Sequence, residues 1–122
     1  EQLIQVFLNI LRNAVQALGS TAVRCGTIYI RSRARRQFTI GAMRHRLVAQ
    51  VDIEDNGPGI EQDMIDKIFY PLVTSRADGT GLGLSIAQYL VQNHGGFIEC
   101  SSRRGRTVFS VFLPISSEGR DT

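Results

Sequence analysis

The 122 residues include no tryptophan, a single lysine, two cysteines and three prolines. Cys25 and Cys100 are too few for a disulfide scaffold and lack metal-ligand spacing, so the expectation is free, largely buried thiols in a reducing cytoplasm. No apolar run approaches the ~20 residues that a membrane-spanning helix needs. The charged-then-apolar pattern of a secretory leader is also missing. The chain is therefore expected in the cytoplasm, with no membrane as a partner. With Lys67 the lone lysine, positive charge falls to arginine, and the net charge is +3. The arginines scatter from Arg12 to Arg120 instead of forming a phosphate-tracking stripe, which argues against direct nucleic-acid binding. There is no repeat and no low-complexity tract. What remains is 43% hydrophobic and 20% charged, the make-up of one globular domain.

Hydrophobic spacing divides that domain. Leu3, Phe7, Ile10, Leu11, Ala14 and Leu18 recur at three- and four-residue steps, which predicts an opening helix stopped by Gly19. On it Asn9 and Asn13 lie four apart, one above the other, on a face turned from the main apolar stripe. Residues 27–33 alternate as a strand, 37–40 read as another before a turn at Gly41, and 47–54 as a third. That strand runs into Asp55-Asn56-Gly57-Pro58-Gly59, a break. Residues 61–69 predict a short helix and 81–94 a longer one ended by His94-Gly95-Gly96. Residues 97–101 and 107–113 read as two further strands, the last closed by Pro114. The fold expected is α+β: a two-layer sandwich of a mixed sheet with helices on one face. The domain should span 1–115, followed by a frayed polar tail at 116–122.

Three groups of residues can carry chemistry, and each also has a plain structural reading. Gly79-Thr80-Gly81-Leu82-Gly83-Leu84-Ser85 opens a helix, where unpaired N–H groups and the helix dipole favour an anion. It lacks the Lys-Ser/Thr pair of a Walker loop, and it reads equally as a turn. Asp55, fixed at a strand end beside Gly57 and Gly59, can accept a hydrogen bond from an exocyclic amine, or belong to a series of β-turns. Asn9 and Asn13 are exposed helix polars, or amide oxygens suited to Mg²⁺.

The combination narrows the choice. Asn-x-x-x-Asn-Ala on a first helix, Asp-x-Gly-x-Gly-Ile, Phe69 before a polar loop, and Gly-Thr-Gly-Leu-Gly-Leu-Ser, in this order, resemble the ATP-binding domain of sensor histidine kinases. That resemblance covers nearly the whole chain. It implies the Bergerat fold with ATP held under a mobile lid, here 73–79. It also implies Asn13 as the Mg²⁺ ligand supported by Asn9, and Asp55 as acceptor for the adenine amine. Gly57 and Gly59 should make room for the base, and Ile60 and Phe69 should line it. Gly79, Thr80, Gly81, Leu82, Gly83 and Leu84 should follow the triphosphate, and Thr107 should contact the adenine end. Hsp90-like and MutL-like relatives carry a Glu where Asn9 stands. An amide cannot take a proton from water, so transfer to an imidazole is favoured over hydrolysis. The reaction implied is transfer of the γ-phosphoryl group of Mg-ATP to a histidine.

Neither His45 nor His94 has the acidic and proline neighbours of the family's phospho-acceptor, so the acceptor is expected on a dimerisation domain outside this chain. The chain would be the catalytic piece of a longer homodimeric kinase, itself monomeric. Gln16 stands where many members have Lys, which points to Arg76 or Arg12 as the phosphate contact, and Leu72 stands where a second Phe is common. The Arg-rich insert (Arg33, Arg35, Arg36, Arg44, Arg46), Gln-Ala-Leu-Gly and Phe-Tyr-Pro-Leu-Val resemble the nitrogen-regulation (NtrB) branch. There the partners are an NtrC-type response regulator and the PII signalling protein. The competing class is an anti-sigma-type serine kinase that holds a partner; a third is a MutL- or gyrase-like ATPase.

Overall fold

The structure, a computed structural model, describes residues 1–19, 25–70 and 83–117. It opens with α1 (Gln2–Gly19), whose apolar stripe buries Val6, Ile10, Ala14 and Ala17. Two hairpins supply the sheet. β1 (Ile28–Ile40) turns at 41–42 into β2 (Met43–Asp55), and β3 (Phe97–Arg103) turns at 104–105 into β4 (Arg106–Ser117). Between the hairpins lie α2 (Gln62–Ile65) and α3 (Gly83–Asn93). The strand order is β1-β2-β4-β3, with every pair antiparallel. The sheet expected as mixed is thus antiparallel among the described residues. Each hairpin folds back on its own strand, and the hairpins join through β2 and β4 running in opposite senses, so no parallel crossover is made.

Both long helices cover one face, as expected. Val6 and Ile10 of α1 and Ala87 and Val91 of α3 meet Ile53, Ile98, Phe109 and Val111 of the sheet in one buried cluster. Each large aliphatic or aromatic side chain there contributes roughly 1.5–3 kcal/mol of burial. The α3 helix ends as its sequence predicts. The Gly95 N–H donates to the Gln92 carbonyl and the Gly96 N–H to the Val91 carbonyl, both at 3.0 Å, with Gly95 in the left-handed region. This double closure satisfies carbonyls that the helix leaves orphaned.

Other boundaries differ from the sequence expectations. β1 is one strand of 13 residues, not two. Its arginine stretch pairs on without interruption, Arg33 opposite Gln50 and Arg36 opposite Leu47. Ladder bonds need only backbone, and on an edge strand arginines can stay in water. The predicted helix over 61–69 shortens to the four residues of α2. Beyond it the Lys67 N–H donates to Met64 (2.9 Å) and Tyr70 to Lys67 (3.0 Å), three-residue turns tighter than an α-helix. β4 continues through Pro114. β3 begins opposite Phe112, so beyond that point β4 has an open side where a missing donor is tolerated. Ser116 and Ser117, placed in the tail by the sequence, lie in this strand; 118–122 lie outside the described residues.

The sheet face away from the helices carries polar side chains that pair with one another. Buried Gln50 accepts from Arg35 (2.7 Å) and donates to Asp52 (3.0 Å). Glu54 binds Arg31 and Arg106, and the hydrogen bond from Arg31 holds its carboxyl below the usual carboxylate range. At the other end Phe38, Phe97 and Phe112 stack almost parallel.

Candidate functional site

The site forms where β2 runs out. Asp55, 2% exposed, stands opposite Ile28 on one side and Thr107 on the other. The Gly57 N–H donates to Asp55 Oδ1 at 2.9 Å. A Cβ on Gly57 would lie 2.9 Å from that oxygen and 3.3 Å from the Ala17 carbonyl oxygen, so the loop threads between the carboxylate and the end of α1. Asn56 pins the start of β1. Its Oδ1 accepts the Thr27 N–H and its Nδ2 donates to the Cys25 carbonyl, both at 2.8 Å. Gly59 has φ +94, and a Cβ there would lie 2.5 Å from the Arg103 carbonyl oxygen. Both glycines are required by the chain's own packing, before any base is considered.

That packing brings in Ser102, which the sequence reading did not single out. The Ile60 N–H donates to Ser102 Oγ at 2.8 Å, and Ser102 Oγ lies 2.7 Å from the hydroxyl of Thr107. Thr107 is 3% exposed. Ile60 and Phe69 pack against the core, Phe69 edge-on to Phe109 at 6.2 Å. Asp55, Thr107 and Ile60, named from sequence, are therefore brought together, while Phe69 packs on the core at Phe109. Ser102 could be found only once the 103–106 hairpin register was known, and Gln5, described next, only once α1 was packed.

Cys100 lies on the same strand face. Its thiol is pushed up to about 12, first by burial and then by the negative charge of Asp55. A folded-state value this high keeps the neutral thiol through pH 8 and above, where an unfolded cysteine (pKa about 8.5) already ionises. Cys25, expected from sequence to be a largely buried thiol, is instead exposed, so iodoacetamide at pH 8 is expected to label it and to spare Cys100 until the chain is denatured. Equal labelling rates for both thiols in the folded protein would contradict this burial.

On α1, Asn9 differs from expectation. It is buried against α3 instead of facing away: its Nδ2 donates to the Gly83 carbonyl at 3.0 Å, and its Oδ1 accepts from Gln5 at 2.8 Å. Asn13 follows one turn later, half-buried. The Leu84 side chain packs on the core, leaving only its backbone for the expected phosphate line. Arg76, Gly79, Thr80, Gly81, Leu82 and the lid lie outside the described residues. Among the described residues no cluster of three or more His, Cys, Asp or Glu side chains could hold a metal. A Mg²⁺ here would take amide oxygen, water and ligand phosphate, a donor set that suits it. His45 is buried ten residues back along β2 from Asp55, ~33 Å of strand. His94 is exposed and its Nε2 lies 3.1 Å from Gln2 Oε1, joining the end of α3 to the start of α1.

A two-helix layer over an antiparallel sheet, with a buried acid at a strand end and amides on the first helix, defines a known class. Residues 1–117 match the model of the histidine kinase-, DNA gyrase B- and HSP90-like ATPases. The chain belongs to that family, and within it to the histidine kinase catalytic domains. It superimposes on the catalytic domain of histidine kinase ThkA with a TM-score of 0.74 at 30% identity, covering 98% of this chain and 70% of that one. A mycobacterial sensor histidine kinase, MprB, gives 0.71 at 25% identity, covering 93% and 72%. Among curated proteins it is similar to the sensory histidine kinase/phosphatase NtrB of Klebsiella oxytoca, 52% identical over 115 residues, 94% of this chain and 32% of that protein. The NtrB of Rhizobium meliloti is 35% identical over 120 residues, covering 95% and 31%. The chain thus spans about a third of the length of these relatives. No helix among the described residues is long and apolar enough to cross a membrane.

Proposed function

We propose that this chain binds Mg-ATP and donates its γ-phosphoryl group to a histidine on a dimerisation domain carried elsewhere in a longer homodimeric kinase, within a nitrogen-regulation two-component system. The observation that carries the reading is Asp55, a carboxylate 2% exposed at a strand end between Gly57 and Thr107. An acceptor held there selects a ligand with an amine on a flat ring. Ile60 and Phe69 offer the apolar wall. Asn13 would hold Mg²⁺, which when bound neutralises charge on the phosphates. Asn9 holds α1 to the first residue of α3. Being an amide it offers no base for water, so positioning and charge neutralisation favour transfer to an incoming imidazole. The similarity to NtrB supports an NtrC-type response regulator and PII as partners, and a cytoplasmic site of action. The fragment itself is read as a monomer without nucleic-acid or membrane contacts.

Mixing the chain with a separately made dimerisation domain and labelled ATP is expected to place acid-labile label on histidine, in a Mg²⁺-dependent manner. Asn13→Ala is expected to slow the transfer by tenfold or more and to raise the Mg²⁺ needed. Label on a serine of a partner protein would favour the anti-sigma-type alternative. Equal transfer with and without Mg²⁺ would remove the metal from the reading.

A further inference from the structure

Two hydrogen bonds in series run from the surface of α1 to the start of α3. Exposed Gln5 donates from Nε2 to Asn9 Oδ1 at 2.8 Å, and Asn9, 7% exposed, donates from Nδ2 to the Gly83 carbonyl at 3.0 Å. The direction of both is fixed at the far end. A carbonyl oxygen can only accept, so Asn9 must turn its NH₂ to Gly83. The Asn9 oxygen then faces Gln5, which must turn its own NH₂ inward to meet it. Gln5 stands one turn before Asn9, on the same side of α1. Without that donor the Asn9 oxygen would be an unfilled acceptor at a buried position. The terminal torsion of an amide is broad and holds no orientation by itself, so Asn9 would be free to turn to water and release Gly83.

Gly83 is the first residue of α3 and the last glycine of the segment read as following the triphosphate. A Cβ on it would lie 3.9 Å from Asn9 Cβ, so the two elements already touch at this point. Asn13, read as the Mg²⁺ ligand, is one turn beyond Asn9. The Asn9–Gly83 bond therefore sets how far the metal ligand stands from the mouth of α3.

We infer that Gln5 is a positioning residue for the phosphate end of the site: by donating to Asn9 it locks the amide that holds the start of α3 at a fixed distance from Asn13. This rests on the Mg-ATP reading above. The base end, at Asp55 on β2, does not depend on that bond, so the effect falls on phosphate-bearing ligands alone. The test compares affinities of the folded chain for ATP with Mg²⁺ and for adenosine, by titration calorimetry. Gln5→Met removes the donor at similar length and adds no charge near the phosphates. It is expected to weaken ATP binding about fivefold, the size of one hydrogen bond, and to leave adenosine within about twofold of the wild type. Asn9→Ala should weaken ATP binding at least as much. Adding Gln5→Met to it should cost less than about twofold more, because the two residues act through one series of bonds.

A glutamine that only steadies the helix would lower both affinities together, which overturns the inference. So does unchanged ATP binding in Gln5→Met, or a full further loss when that change is added to Asn9→Ala; in these cases the ATP reading stands. A wild type that binds ATP no better than adenosine sinks the phosphate end of that reading itself. Should methionine pack over Asn9 in place of the bond, Gln5→Ala, which keeps the helix, carries the same comparison.

Discussion

Asp55→Asn is expected to weaken adenine-nucleotide binding by a hundredfold or more while the fold stands. The carboxylate is 2% exposed, and one of its oxygens already receives the Gly57 N–H. An Asn keeps that bond through its own oxygen, which fixes its rotamer. Its NH₂ then points where the ligand's amine should donate, so two donors face each other. The loss combines a charge-assisted bond, roughly 1.5–3 kcal/mol, with an unpaired buried donor, roughly 1–3 kcal/mol. Even the lower sum approaches a hundredfold, since each 1.4 kcal/mol is about tenfold. Because the Gly57 bond survives, the melting temperature without nucleotide should shift by only a few degrees. Calorimetric titration alongside a thermal melt separates the two effects. Unchanged affinity with a normal melt would remove Asp55 from the site.

What the sequence revealed followed the range of the forces involved. The α1 stripe, the closing of α3 and the placement of Asp55 at a strand end depend on neighbours a few residues away, and these are legible as period, glycines and a polar break. The antiparallel sheet order was not, because it is decided by which hairpin edge meets which, a contact between distant segments. Nor was the continuity of β1 through Arg33 and Arg36. An arginine run has no alternation to read, yet the backbone ladder carries on beneath it. Asn9 was misplaced for a related reason. Helical spacing puts it off the apolar stripe, and only the approach of α3 gives its amide the Gly83 carbonyl. In the site, Asp55 and Thr107 were visible as motif residues, while Ser102 was not. Its partners Ile60 and Thr107 reach it from a loop and an adjacent strand, and its own sequence neighbourhood, Cys-Ser-Ser-Arg, signals nothing.

Among the described glycines outside the site, Gly96→Ala is expected to be the most destabilising. The residue is buried at the step from α3 into β3. A Cβ there would overlap the Phe112 carbonyl oxygen and lie 3.1 Å from Val91 Cγ1. Phe112 is opposite Phe97, the first pair of the β3–β4 ladder, and its ring belongs to the stacked aromatic trio. Val91 is fully buried in the core. The added methyl therefore meets backbone on one side and a close-packed core on the other, and neither side can rotate away. Overpacking of this kind costs about 3 kcal/mol or more. For a domain this size that is a fall of roughly 10 °C or more in melting temperature. Gly19→Ala, at the end of α1 with nothing within 4 Å of the added atom, is the matched control and should shift the melt by no more than about 3 °C, because a methyl with no neighbour adds no clash and alanine favours the helix. Equal melts for the two variants would mean that α3 does not enter β3 across Phe112, and the packing that brings the two halves of the sheet under α3 would need redrawing.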